Sequence, residues 1–171
     1  IQGGGTFRVA GQHDAFGWGD TTTKSIILQG SDDSHVATLD LQQTTGNSAT
    51  MNAALKLMGN AAITGAKGFN THDGSFYAEG VNNSIESFQI RHAATFEVKE
   101  GGELTVGTMT RGQDGNKTLT KTGMGTMTFT TKAQAEALVI NEGAIVISGS
   151  EENSFNAITI GASGTLKLTM E

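Results

Sequence analysis

Four glycines, Gly102, Gly125, Gly143 and Gly164, sit at the centre of one recurring pattern. The positions six and four before each Gly and two and four after it hold Phe96, Val98, Leu104 and Val106; then Leu119, Lys121, Met127 and Phe129; then Ala137, Val139, Ile145 and Ile147; then Ile158, Ile160, Leu166 and Leu168. Fifteen of these 16 positions are apolar in a chain that is only 36% hydrophobic, so the pattern is not a by-product of composition. Apart from Leu138, Ile140 and Val146, the interleaved positions hold mainly Thr, Glu, Lys, Gly and Ser. Alternation on both sides of a glycine describes two short strands hinged at that residue, each with one face buried and one in water. The four glycines recur at nearly even intervals. A repeat of roughly 20 residues with no helix is the period of a β-solenoid, in which each coil buries its apolar row only against the coils above and below. The sequence therefore predicts an all-β solenoid with short rungs of about 20 residues. A β-sandwich is the alternative, since short strands with regular turns also describe it, but its strands need not repeat residue types at a fixed interval.

What the chain lacks supports this reading. At ordinary frequency 171 residues would include about eight or nine prolines, and there are none. Proline cannot donate to a hydrogen-bond ladder and is excluded from strands with neighbours on both sides. The 24 Gly and 24 Thr favour strands joined by tight turns over long helices. There is no Cys, which removes disulfides and thiolate metal sites and fits a protein exported unfolded. With 17 acidic against 11 basic side chains the formal charge is −6, the wrong sign for nucleic acid or anionic lipid as a partner. No apolar run approaches the ~20 residues of a membrane-spanning helix. The chain opens at Ile1 without a basic and apolar leader, and we read it as one solenoid domain over 1–171, a fragment of a longer chain.

The repeat also resembles a known family. Leu119-Thr-Lys-Thr-Gly-Met-Gly-Thr-Met-Thr-Phe129 is similar to the LTKTGxGTLTL core of the autotransporter-associated β-strand repeat, found in passenger domains of exported bacterial surface proteins. Val139-Ile-Asn-Glu-Gly-Ala-Ile-Val-Ile-Ser-Gly149 resembles the half that follows it, and Ile158 to Thr169 resembles a degenerate copy. The likeness covers about residues 94–170 and departs from the family at Thr131 to Glu136, where TKAQAE replaces an aromatic-Gly-Gly-Thr turn. It implies a right-handed parallel β-helix, extracellular or on a bacterial cell surface, serving as stalk, adhesin or carrier of an activity. Its motif residues are core and turn positions and carry no chemistry.

Residues 1–93 use the same strand alphabet with irregular spacing, and 94–171 hold the regular rungs. Alternating pairs recur at Phe7 and Val9, Ile26 and Leu28, Leu39 and Leu41, Leu55 and Leu57, and Phe88 and Ile90. Asn52 to Met58 reads either as a short helical turn or as a rung whose strand is Leu55 to Leu57. In a solenoid, specificity sits on the loops, and all four His lie in this half: His13-Asp14, Asp32-Asp33-Ser34-His35, His72-Asp73 and Arg91-His92. The intervals between successive His are each close to one or two coils. Stacked coils could join them into a column suited to a divalent metal or to carboxylate acid–base work. The plainer reading, which we favour, is that polar residues occupy polar turns. Asp14, Asp33, His35, His72, Asp73 and His92 stand as the catalytic candidates, with no metal or cofactor assigned. No nucleophile elbow, phosphate loop or zinc-protease motif is present. Trp18 and Tyr77, the only Trp and Tyr, would suit sugar stacking if exposed, although Trp18 between two glycines fits better as a cap on the first coil.

The leading expectation is a non-enzymatic scaffold or adhesin at a bacterial surface, with glycan or glycoprotein as the partner class. The alternative is a carboxylate-dependent hydrolase, a peptidase or glycosidase, acting on glycoprotein such as mucin. The alternation further predicts that Val98, Val106, Val139, Ile145, Ile147, Ile160, Leu166 and Leu168 form one buried column. Leu138, Ile140 and Val146 would then point outward as an apolar patch. Weak self-association is expected through that patch or through the terminal rung, unless Thr131 to Glu136 folds over the patch.

Overall fold

A computed structural model describes residues 1–10, 25–42, 49–51, 54–66, 68–71, 75–113 and 116–169. It is a parallel β-solenoid. Its strands are β1 (Thr6–Ala10), β2 (Ser25–Leu28), β3 (Ala37–Gln42), β4 (Ala49–Met51), β5 (Ala54–Leu57), β6 (Ala61–Thr64), β7 (Phe69–Thr71), β8 (Ser75–Ala78), β9 (Asn83–Ile90), β10 (Ala94–Val98), β11 (Glu103–Arg111), β12 (Thr118–Thr122), β13 (Thr126–Ile147) and β14 (Ser154–Leu168). Every strand-to-strand pairing among the described residues is parallel, which rules out the antiparallel sandwich. No helix among the described residues is long and apolar enough to cross a membrane.

Three faces stack coil upon coil. The first runs β2, β5, β8, β10, β12, then the 137–140 stretch of β13 and the 157–160 stretch of β14. The second runs β1, β3, β6, the start of β9, the start of β11 and the start of β13. The third joins β4, β7 and the ends of β9 and β11 to the middle of β13. Along the first face the inward column is Ile26, Leu55, Phe76, Phe96, Lys121, Ile140 and Ile160. From Leu55 to Ile160 the column returns at nearly even intervals, and the longest of them, Phe96 to Lys121, holds the segment 112–117 between β11 and β12. The five alternating pairs of the irregular half all fall in strands, and Ala54–Leu57 forms β5, a rung rather than a helical turn, while Asn52 and Ala53 lie outside the described residues.

Apolar columns make the interior. Phe7, Leu39, Ile63, Ile85, Val106 and Phe129 stack along the second face. The Phe rings of the first and third faces meet inside: Phe76 and Phe96 stack with centroids 4.4 Å apart and nearly parallel planes, and Phe69 lies 5.7 Å from Phe76 and Phe88 5.2 Å from Phe96. Such stacks add to the area term of burial.

Three expectations about side-chain direction are corrected. Leu138 and Ile140 are fully buried and Val139 is half-buried on the outer side, so the patch of Leu138, Ile140 and Val146 does not exist. The reason is the corner before Gly143: Ile140 precedes that glycine by three residues, whereas Lys121 and Ile160 precede theirs by four. One residue fewer inverts the facing of the whole strand. Second, Thr131 to Glu136 does not cover anything; it lies in β13 as a third-face strand, paired with β11 and β14, with Ala133 and Ala135 buried. Third, the eight residues expected in one buried column do not share a column, though the buried ones belong to one core: Val98 lies on the first face and Val106, Ile145 and Ile147 on the second, all buried, whereas Ile160 and Leu168 are exposed and Leu166 is half-buried, because among the described residues no coil lies beyond β14. Trp18 lies outside the described residues.

Ile145→Ala should lower unfolding free energy by about 2–5 kcal/mol, the range for truncating a fully buried aliphatic side chain. The corrected facing makes a sharper test: Leu138→Asp buries an unpaired charge, whereas Val139→Asp leaves its carboxylate within reach of water. Urea denaturation should find Leu138→Asp far the more damaging, and the reverse order would restore the facing expected from the glycine spacing.

Candidate functional site

The loop from β2 to β3 carries two of the candidates. Ser31 N–H donates to the His35 carbonyl and His35 N–H to the Asp32 carbonyl, closing a tight turn. Asp32 and His35 therefore face each other, with His35 Nδ1 2.8 Å from Asp32 Oδ1. The Ser34 hydroxyl and backbone N–H both donate to the same oxygen, at 2.6 and 2.9 Å. These bonds, the Ser34 hydroxyl first and His35 next, hold the Asp32 carboxyl well below the usual carboxylate range. The trio resembles a nucleophile, base and acid only in composition. In a working relay the Ser proton goes to one imidazole nitrogen while the acid holds the other. Here Ser34 and Asp32 crowd the same Nδ1, and the Ser34 proton points to the carboxylate.

Asp33 faces away from this trio. Its Oδ1 accepts from Asn82 Nδ2 at 2.6 Å, and Asn82 also reaches Asn60 Oδ1 at 3.2 Å. Asn60 and Asn82 both have positive φ, 45° and 57°, a conformation that Asn tolerates better than most residues. One corner of three successive coils is thus tied together from outside. His92 is elsewhere, after β9 on the corner leading to β10, where its carbonyl accepts from Thr71 Oγ1 at 3.2 Å. His35 and His92 occupy different corners and are not brought together. Asp14, His72 and Asp73 lie outside the described residues. Among the described residues no three His, Asp or Glu side chains gather as metal ligands would.

Tyr77 points outward in the column Ile27, Lys56, Tyr77, Glu97. Its hydroxyl bonds the Glu79 carboxylate, and Lys99 Nζ lies 5.6 Å from the ring centroid while pairing with Glu97 at 2.8 Å. The Glu79 bond raises the phenol pKa and the Glu97 bond raises that of Lys99.

Polar groups with the most defined surroundings are inside the coil, at positions the sequence pattern treats as core. Lys121, the single exception among the 16 repeat positions, is fully buried. Its Nζ donates to the carbonyl oxygens of Thr122, Gly123 and Glu142 at 2.8, 2.5 and 3.2 Å, which uses all three protons. The Glu142 carboxylate accepts from Gly123 N–H at 3.0 Å. Asn83 does the same one face on: its Nδ2 reaches the carbonyls of Glu79, Gly80 and Glu103, and its Oδ1 accepts from Gly59 N–H. Both plug a corner from within. Burial pushes Lys121 down to about 8, against the opposing pull of Glu142.

Comparison with models of known families, with curated proteins and with solved structures finds no match to this chain.

A lysine depressed in the fold is more fully protonated in the unfolded chain between about pH 8 and its ordinary value near 10.5. Stability contributed by Lys121 should therefore rise with pH across that window and be flat below it. Urea midpoints of wild type and Lys121→Met from pH 7 to 10 should show a rise that the variant lacks; parallel curves would show that Lys121 does not titrate there.

Proposed function

We propose that this chain is a segment of an exported bacterial surface protein of the autotransporter-passenger type, acting outside the cell as a rigid scaffold or adhesin toward glycan or glycoprotein. The observation that carries the reading is the use made of its buried and corner polar groups. Lys121, Asn83 and Asn153 are bound to backbone groups of the coil corners. Asp33, Asn60 and Asn82 bind one another across coils. Such side chains hold shape. The outward columns, with Tyr77, Lys56, Glu97 and rows of Thr and Ser, are free to vary without disturbing the stack, which is how repeat scaffolds present binding surfaces. The likeness of residues 94–170 to passenger repeats supplies the bacterial surface. Weak self-association belongs to the same reading.

The test pairs binding with turnover. Immobilised mucin should retain the protein reversibly, with no fragments released on long incubation, and Asp33→Asn and Asp73→Asn should behave as wild type. Release of glycan or peptide that vanishes in either variant would replace the scaffold with the hydrolase.

A further inference from the structure

The tripeptide Asn-x-Ser/Thr, whose Asn side chain can accept a sugar on nitrogen, occurs twice in the chain, at Asn82-Asn83-Ser84 and at Asn116-Lys117-Thr118. The fold treats the two in opposite ways. Asn82 is a corner residue whose Nδ2 donates to Asp33 Oδ1 and Asn60 Oδ1 at 2.6 and 3.2 Å, which uses both amide protons. Asn83 is buried and bonded to the carbonyls of Glu79, Gly80 and Glu103, and Ser84 is held in the ladder between Ala62 and Thr105. An enzyme could take this tripeptide into its own site only by pulling the start of β9 out of the stack.

Asn116 stands outside the ladder. It belongs to the segment 112–117, which makes the interval from Phe96 to Lys121 the longest along the first-face column. That segment is tied at its two ends, by Gly112 N–H to the Ile90 carbonyl and by Glu136 N–H to the Lys117 carbonyl, both at 2.9 Å. Asn116 itself is exposed, and its Nδ2 has no partner among the described residues. Its Oδ1 accepts from the Thr118 hydroxyl at 2.6 Å. That bond brings the first and third residues of the tripeptide together, so the hydroxyl that defines the motif holds the amide oxygen and leaves the NH2 group as the open side of the carboxamide.

We propose that Asn116 is a site of N-linked glycosylation, with a sugar activated as a glycosyl diphosphate as the donor. In the transfer Asn116 Nδ2 forms a bond to the anomeric carbon and the bond from that carbon to the diphosphate oxygen breaks. The diphosphate leaves with the electron pair, and one amide proton passes to a base of the transferase. Asn82 satisfies the sequence requirement without the structural one, so it stays bare in the folded chain. A glycan on Asn116 projects from the connection between β11 and β12 and displaces no strand, because the loop carries no rung of the stack.

Peptide mapping by mass spectrometry of the chain isolated from the cells that produce it tests this. The peptide holding Asn116 should carry sugar and the peptide holding Asn82 should not. A single hexose would mark a nucleotide-linked donor, and a preassembled oligosaccharide a lipid-linked one. In vitro, the folded chain is incubated with UDP-glucose and a soluble N-glycosyltransferase that reads Asn-x-Ser/Thr, beside synthetic peptides spanning 79–87 and 112–121. Both peptides should gain hexose, whereas the folded chain should gain it at Asn116 alone and lose it in Asn116→Gln and in Thr118→Val. Far-UV circular dichroism checks that these variants fold, and Thr118→Ser, which keeps the hydroxyl, should remain modified. A bare Asn116 in the natural chain overturns the proposal. So does a folded chain in which Asn82 is modified as readily as Asn116.

Discussion

Everything in this molecule depends on the parallel hydrogen-bond ladder that joins each coil to the next. A single coil has too little apolar area to hold itself; Phe96 is buried because Phe76 lies on one side of it and Lys121 on the other. The ladder also dictates what corners must do. Where a strand ends and the chain turns, carbonyl groups lose their partners in the neighbouring strand and need donors from another source. Lys121 and Asn83 supply those donors from inside, each bonding carbonyls of its own coil and one from the next. The corner glycines answer the steric half of the same demand. A Cβ on Gly143, whose φ is 68°, would run into the carbonyl oxygens of Gly123 and Gly125.

The solenoid was legible in the sequence because its repeat is written in side-chain alternation, and the errors came from what alternation cannot record. Matching the glycines places Phe96 at the level of Leu119, but the structure stacks Phe96 on Lys121 and Ala94 on Leu119. That slip of two positions is silent, since it leaves every side chain on its proper face. The slip of one position before Gly143 is not silent, and it turned Leu138 and Ile140 from an expected surface patch into core. Ala137, Val139, Leu138 and Ile140 are all apolar, so this rung carried no polar residue to reveal which set faces water.

The candidate site was legible only where it is local. Asp32, Ser34 and His35 meet because they share one tight turn, which their spacing already implied. Long-range convergence needs phase as well as period. The interval from His35 to His92 is not a whole number of coils, and the two land on different corners. Lys121 shows the opposite case: it stood out as the one charged residue in an apolar register, but its role depends on Glu142, brought beside it by the following coil.

Exposure in such a stack follows position more than residue type. Ile140 and Ile160 belong to one column and pair directly, yet Ile140 is fully buried and Ile160 about half exposed. Nothing in either residue's local sequence separates them; the difference is the presence of a covering coil. The apolar surface of the last described coil is therefore the cross-section of the molecule's own core, with the spacing and direction of that core already fixed.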